Sequence, residues 1–369
     1  LFRRGDSNNI RLNLSLRFLD EGMPGDVLHP TPTAYRKGYS VTSTIIDNII
    51  LAKKYFISIH GMGNYSVKSY YSPQPYVYVA TDAEYITDTY KLSSTLSKNF
   101  GLITPEIGAE YLIEGYATSD NINENNSIGK KERRSFSYWL EVPVNYTVSE
   151  DLKIYSVGSL RNDRIDSKGM NNKSIENTIS YLHRRSRFAL AFGYSEAFRM
   201  PTFLDLYWMR SAFAEGNPDL APEITVKKHV KLNYILEFDQ VKIDLSSDFF
   251  TRDIDSVIIW VRSFNGIYKP INSNSEETTG REDYCSLRYK NFQFRWINTV
   301  LESKHVAPGE YLDGMYIPFK PKYLQQTSIS YTFKKITCEI VNRMVGKRYT
   351  LAANTKWTSP YSVWDISLG

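Results

Sequence analysis

The chain has 369 residues, of which 42% are hydrophobic and 23% charged, and it carries a net charge of +5. This balance excludes a disordered chain, and so slight a basic excess leaves no nucleic-acid footprint, so no nucleic-acid partner is expected. Mean hydropathy is −0.39 and no apolar run approaches the ~20 residues of a membrane-spanning helix, which excludes a helical membrane protein but not a membrane β-barrel, whose strands alternate.

The chain begins at Leu1 without an initiator Met, a basic n-region or an apolar h-region. Ser362–Gly369 reads as a strand in progress. The expectation is a piece cut at both ends. Between the ends the dominant signal is period-two alternation. Ile10, Leu12, Leu14, Leu16 and Phe18 alternate with Arg11, Asn13, Ser15 and Arg17. In Ile103–Ile113 the apolar set is Ile103, Ile107, Ala109, Tyr111 and Ile113, opposed by Thr104, Glu106, Gly108 and Glu110, with Glu114 next. Phe136–Tyr146, Phe188–Tyr194 and Val241–Phe249 repeat the pattern.

The connections switch between short and long. Short turns are expected near Leu51–Lys53, Ser97–Phe100, Val148–Asp151, His183–Arg187, Glu237–Gln240, Lys290–Asn291 and Lys334–Lys335. Long polar stretches lie at Asp20–Arg36, Ser66–Glu84, Thr118–Arg134, Asn162–Ser174, Met200–Glu223, Arg262–Thr279, His305–Lys320 and Thr350–Thr358. Short turns on one side and long loops on the other characterise an outer-membrane barrel, and the spacing gives about 16 strands. The 28 Tyr, 18 Phe and 6 Trp favour interfacial girdles, with Tyr55, Phe56, Tyr138, Trp139, Phe249, Phe250, Trp260 and Trp296 as candidates. The two cysteines, Cys285 and Cys338, fall three strands apart and are expected to be free. No fixed-length repeat and no linker interrupts the chain, so residues 1–369 read as one domain.

Enzymatic signatures are sparse. The histidines, His29, His60, His183, His229 and His305, form no metal-binding helix motif, and no nucleophile elbow or P-loop occurs. Neither a catalytic residue nor a cofactor is expected. Asn121, Asn123, Asn125 and Glu132 sit at calcium-loop offsets, but Asn121 stands where Asp is usual and Asn126 where Gly makes the turn, so a plain polar loop is the better account. Glu106, Glu110 and Glu114 share the polar face of one strand and are expected to line a lumen, paired with basic residues on neighbouring strands.

Two boxes carry a family resemblance. Ser195-Glu196-Ala197-Phe198-Arg199-Met200-Pro201-Thr202-Phe203-Leu204-Asp205-Leu206-Tyr207 and Gly216-Asn217-Pro218-Asp219-Leu220-Ala221-Pro222-Glu223 resemble the TonB-dependent outer-membrane receptors. Gly22-Met23-Pro24-Gly25 and Tyr316–Lys322 are weaker matches to the same family. The resemblance implies an all-β, transmembrane antiparallel barrel of 22 strands in the outer membrane of a Gram-negative-type bacterium, with the boxes flanking the seventh extracellular loop. On that count about four strands are missing in front and two behind, together with a plug and a TonB-contacting segment. The resemblance further implies uptake of a scarce nutrient such as a ferric siderophore or cobalamin. It also implies partners: the TonB-ExbB-ExbD complex through the missing N-terminal region, a small-molecule ligand at the extracellular loops, membrane lipid and lipopolysaccharide.

Pro201 removes a ladder donor, while Asn217-Pro218 and Ala221-Pro222 force extended or turned backbone. Phe198, Arg199, Pro201, Asn217, Pro218, Leu220, Pro222 and Glu223 are therefore expected to anchor the loop rather than bind ligand. Haem receptors of the family carry a histidine between the boxes; residues 202–216 have none, which argues against haem. A passive channel or a structural and adhesive barrel is the alternative expectation.

Overall fold

The computed structural model describes residues 2–4, 8–23, 32–51, 55–73, 80–122, 127–208, 210, 214–262 and 266–369. The chain forms β1 (Phe2–Arg4), β2 (Asn8–Gly22), β3 (Tyr35–Leu51), β4 (Tyr55–Ser72), β5 (Thr81–Lys98), β6 (Glu106–Asp120) and β7 (Ile128–Thr147). Next come β8 (Leu152–Ile165), β9 (Lys168–His183), β10 (Ser186–Arg199), a short helix α1 (Phe203–Tyr207), β11 (Glu223–Phe238) and β12 (Val241–Asp255). The remainder is β13 (Ile258–Arg262), β14 (Tyr268–Asn272), β15 (Ser275–Tyr289), β16 (Phe292–Val306), β17 (Tyr323–Phe333), β18 (Ile336–Val345), β19 (Arg348–Tyr349), β20 (Trp357–Thr358) and β21 (Tyr361–Leu368).

One antiparallel sheet of 17 strands holds all but β13, β14, β19 and β20, which form two small hairpins in the long loops. Each long strand pairs with its sequence neighbours from β2 to β12, then through β15–β18 to β21. Setting the three-residue β1 aside leaves the expected sixteen. Among the described residues the sheet ends on two open edges, since β21 pairs with β18 alone and β1 covers Asn8–Ile10 of β2 alone. Among the described residues no helix is long and apolar enough to cross a membrane.

Cross-strand partners point to the same side of a sheet, so the pairing separates two faces. One carries Leu14, Ile107, Phe136, Leu160, Phe192 and Ile340, all well exposed. The other carries Lys91, Glu106, Glu110, Glu114, Arg133 and Arg161. An apolar face left in contact with solvent is unfavourable in water and favourable in lipid, so the apolar face is the outward one. It also holds polar residues, among them Asp283, which accepts hydrogen bonds from Ser247 (2.7 Å), Arg281 (2.9 Å) and Asn298 (3.1 Å), so the carboxylate there is partnered. Cys285 also faces outward, three strands from Cys338, and both are free.

Several expectations need correction. Asn162–Ser174 is not a loop: β8 and β9 continue to a turn at residues 166–167, where Asp166 has φ 52°. Above the apolar belt both faces meet water, so the ladder persists without hydrophobic alternation. Ser66–Glu84 and Thr118–Arg134 shrink for the same reason, with strand continuing to Ser72 and resuming at Thr81, and continuing to Asp120 and resuming at Ile128. Ile103 makes only an isolated bridge to Val144, and its strand begins at Glu106. The girdle set also splits. Tyr55, Tyr138, Phe249 and Trp296 face outward, but Phe56, Trp139 and Phe250 face inward, because adjacent residues of a strand take opposite sides. Trp260 lies in the β13–β14 hairpin instead.

Candidate functional site

The loop between β10 and β11 folds across the inward side of the sheet. β10 ends at Arg199, two residues before the fully buried Pro201, and Thr202 caps α1 with a capping box: Asp205 N donates to Thr202 Oγ1 (3.1 Å) and Thr202 N to Asp205 Oδ2 (2.9 Å). The Arg199 guanidinium forks onto Glu223 through two 2.6 Å hydrogen bonds, joining the two ends of the loop. Glu223 Oε1 also accepts from the Ile258 amide at 2.8 Å. Burial alone raises the Glu223 carboxyl; the hydrogen bonds from Arg199 and Ile258 outweigh it and hold the group below the usual carboxylate range.

The β13–β14 hairpin packs onto this loop. Trp260 Nε1 donates to Asp205 Oδ1 (3.1 Å), and its ring meets Trp208 edge-on at 6.0 Å. Asn217 Nδ2 donates to Pro270 O (2.9 Å) and its Oδ1 accepts from Asp219 N (3.2 Å). Asn272 exchanges hydrogen bonds with the Ala221 backbone at 2.7 and 3.0 Å. Leu220 is buried beneath, Pro218 turns the chain, Pro222 is half-buried, and half-buried Phe198 stands opposite Ile224.

The cap is tied to the inward wall of β6 and β7. Arg133 donates to Pro201 O (2.9 Å), lies 5.0 Å from the Phe203 ring and pairs with Glu114 at 2.8 Å. Phe203 stacks on Tyr116 at 5.8 Å. Below them Glu110 sits between Lys91 (2.9 Å) and Arg161 (3.0 Å), and Arg161 reaches Asp163 at 2.8 Å. The expected pairing of wall carboxylates with basic neighbours therefore holds for Glu110 and Glu114. Glu106 instead meets Trp139 Nε1 at 3.5 Å.

A cleft of about 480 Å³ opens between residues 127–131 and the cap. Lys131, Tyr207, Trp208, Arg210 and Glu215 line it. Lys131 stacks over the Tyr207 ring at 5.2 Å, while Glu215 lies 3.6 Å from Arg210 and 3.7 Å from Lys269. Two cations thus flank one carboxylate, and a third, Lys131, lies on an aromatic face of the cleft, a setting suited to an anion with a flat or aromatic part.

Of the candidate calcium ligands, Asn123 and Asn125 lie outside the described residues. Asn121 donates to Asp82 Oδ2 (3.2 Å), and Glu132 accepts from Arg134 (2.5 Å). Among the described residues no group of three or more metal-ligating side chains occurs. The sequence did not mark Arg133 or Trp208, placed Trp260 in a girdle, and carried Asp205 only as part of a family box. Their partners lie 55 and 68 residues away for Trp260 and Arg133, beyond the reach of any local period.

The family described as TonB dependent receptor-like, beta-barrel matches residues 6–369. The chain belongs to the TonB-dependent receptors. The vitamin B12 transporter BtuB of Photobacterium profundum is 26% identical over 218 residues, 57% of this chain and 33% of that protein. The siderophore receptor PirA of Acinetobacter baumannii superposes with a TM-score of 0.73 at 15% identity, covering 100% of this chain and 63% of PirA. The ferric citrate transporter FecA gives 0.70 at 12% identity, covering 98% of this chain and 60% of FecA. The chain thus spans a third of the curated relative's length and under two thirds of these structures. Members of the family are outer-membrane proteins, and the apolar outward face fits that placement. The long-loop end is then extracellular.

Proposed function

We propose that the whole protein imports a scarce nutrient across the outer membrane, with a ferric siderophore or similar anionic metal chelate as its ligand. The observation that carries this is the extracellular cleft, where Lys131 and Arg210 outnumber Glu215 beside Tyr207 and Trp208, and where Lys269 also pairs with Glu215. Binding and gated release are sufficient for import, and no covalent chemistry is involved, so the protein is a receptor rather than an enzyme. Residues 1–369 act as one barrel domain. A plug and a TonB-contacting segment of the whole protein would engage the TonB-ExbB-ExbD complex. Phe198, Arg199, Pro201, Asn217, Pro218, Leu220, Pro222 and Glu223 hold the cap over the lumen rather than touching ligand.

Cobalamin is the second reading, favoured by the relationship to a vitamin B12 transporter. The two separate by titrating the purified full-length receptor with ferric chelates and with cyanocobalamin, followed by tryptophan fluorescence. The account predicts micromolar or tighter binding of an anionic ferric chelate, weakened at least tenfold by combining Lys131→Glu with Arg210→Glu. Binding of cyanocobalamin alone, indifferent to those charges, would establish the second reading.

A further inference from the structure

The inward side of β15 and β16 carries a buried polar cluster at its extracellular end. Glu276 stands opposite His305 and Thr278 opposite Ser303, and all four are buried. On the outward side of β16 the belt runs from Phe292 to Val300, which covers ~26 Å of strand, or ~20 Å along the membrane normal at a tilt of ~40°, so His305 lies above the hydrocarbon. Glu276 accepts from Thr278 Oγ1 (2.9 Å), which also shares a hydrogen bond with Ser303 Oγ (2.8 Å). Lys320 forms a hydrogen-bonded ion pair with the same carboxylate, and Arg252 lies 3.9 Å from it.

Lys320 ends a segment that folds back along β16. Gly314 N donates to His305 O (3.0 Å), Ile317 N to Ser303 O (3.0 Å) and His305 N to Met315 O (2.9 Å). Asn354 ties the segment to the next loop by accepting from Tyr316 N (2.7 Å). His305 thus holds the segment through its backbone while its ring sits beside the Glu276–Lys320 pair. The ring Nε2 is buried and makes no hydrogen bond among the described residues. Burial holds the imidazole below its ordinary range; Glu276 opposes that effect and Lys320 adds to it. Of the other charges nearby, Glu277, Glu302 and Lys304 stand on the outward face, and Asp313 accepts from the Ala307 amide (2.9 Å).

A proton on His305 puts a second close cation beside one buried carboxylate. Lys320 is on the loop and partly exposed, so it returns to water more readily than the buried ring does, and the imidazolium takes its place against Glu276. We infer that His305, Glu276 and Lys320 form an acid-operated latch, closed at neutral pH, which frees residues 307–320 from β16 when His305 is protonated. The closed state binds this proton less well than the open one, so opening gains as pH falls below about 6.5, by up to tenfold per pH unit, until the closed-state value is reached. The window differs from that of the Arg199–Glu223 cap, whose carboxyl is held low and changes charge only in stronger acid. The inference does not depend on the ligand, so its failure leaves the transport reading intact.

The test is amide hydrogen exchange of the full-length receptor in detergent at pH 7 and pH 5, read by mass spectrometry as protection of residues 307–320 after correction for the chemical exchange rate at each pH. Protection in the wild type is expected to fall at least threefold at pH 5, while residues 200–222 of the cap keep theirs. His305→Gln, which cannot be charged, is expected to give the same protection at both pH values. Heat-modifiable electrophoretic mobility verifies folding. Should His305→Gln fail to fold, Lys320→Gln decides: its segment is expected to be open already at pH 7 and to respond to acid less than the wild type, because Glu276 is then free to hold the imidazolium. Wild-type protection unchanged between the two pH values, or an acid response that persists in the variants, would overturn the proposal. So would an equal loss across 200–222, which would mark general loosening in acid.

Discussion

Glu223 is a carboxylate removed from water at the foot of an extracellular loop, and it is tolerated because three hydrogen bonds replace its hydration. Charge-assisted bonds of this kind contribute about 1.5–3 kcal/mol each when a partner is removed. Glu223→Ala should therefore loosen the cap by about 2–3 kcal/mol, read as faster proteolytic cleavage within residues 200–222 while the barrel stays intact. The folded-state carboxyl lies below its unfolded value, so the stabilisation is fully present above about pH 4.5 and is lost as pH falls through the folded value. Cleavage in the wild type should stay constant from pH 7 to 5 and rise only below that window; Glu223→Gln should abolish the rise. At this scale the sequence marked Arg199, Pro201, Asn217 and Glu223, because proline and paired-box chemistry act locally. It gave no role to Asp205 or Arg133 and placed Trp260 in a girdle, because their roles come from tertiary contacts between residues distant in sequence.

Strands here outrun the membrane. β4 and β5 have 18 residues each and β7 has 20, against the ~9–11 that a tilted strand needs to cross a bilayer. Alternation was legible only where one face meets lipid and the other water. Beyond the belt that contrast vanishes, so the β8–β9 hairpin read as loop. The girdle expectation failed at paired aromatics for a related reason, since in Tyr138-Trp139 and Phe249-Phe250 only one ring of each pair faces outward. The inward Trp139 lies flat over Gly108, where a Cβ would come within 2.1 Å of its Cζ2. Gly108→Val should cost about 1–3 kcal/mol through overpacking, lowering the temperature at which the folded band of the full-length protein is lost in detergent. Adding Trp139→Ala should recover part of that loss. A cost unaffected by removing the indole would mean that the close approach is not its cause.

Among the described residues the chain is a sheet with two open edges, one along β2 and one along β21. Unpaired backbone groups cost several kcal/mol each in hydrocarbon, so an open sheet is not a stable membrane span. Residues 1–369 alone should give no heat-modifiable, trypsin-resistant species in liposomes, and such a species would show that the edges close on each other. The strand rhythm and the boxes made the family legible, because long and short connections follow from strands that must all cross one bilayer. Ligand identity was not legible, because the cleft is assembled from residues of two loops that meet only in the fold. The most direct test of the account is uptake of a radiolabelled ferric chelate by cells expressing the full-length receptor, with the TonB complex present or deleted. The account predicts saturable uptake that drops at least tenfold on deletion while surface binding persists. Undiminished uptake without the complex would make the protein a passive channel and contradict it.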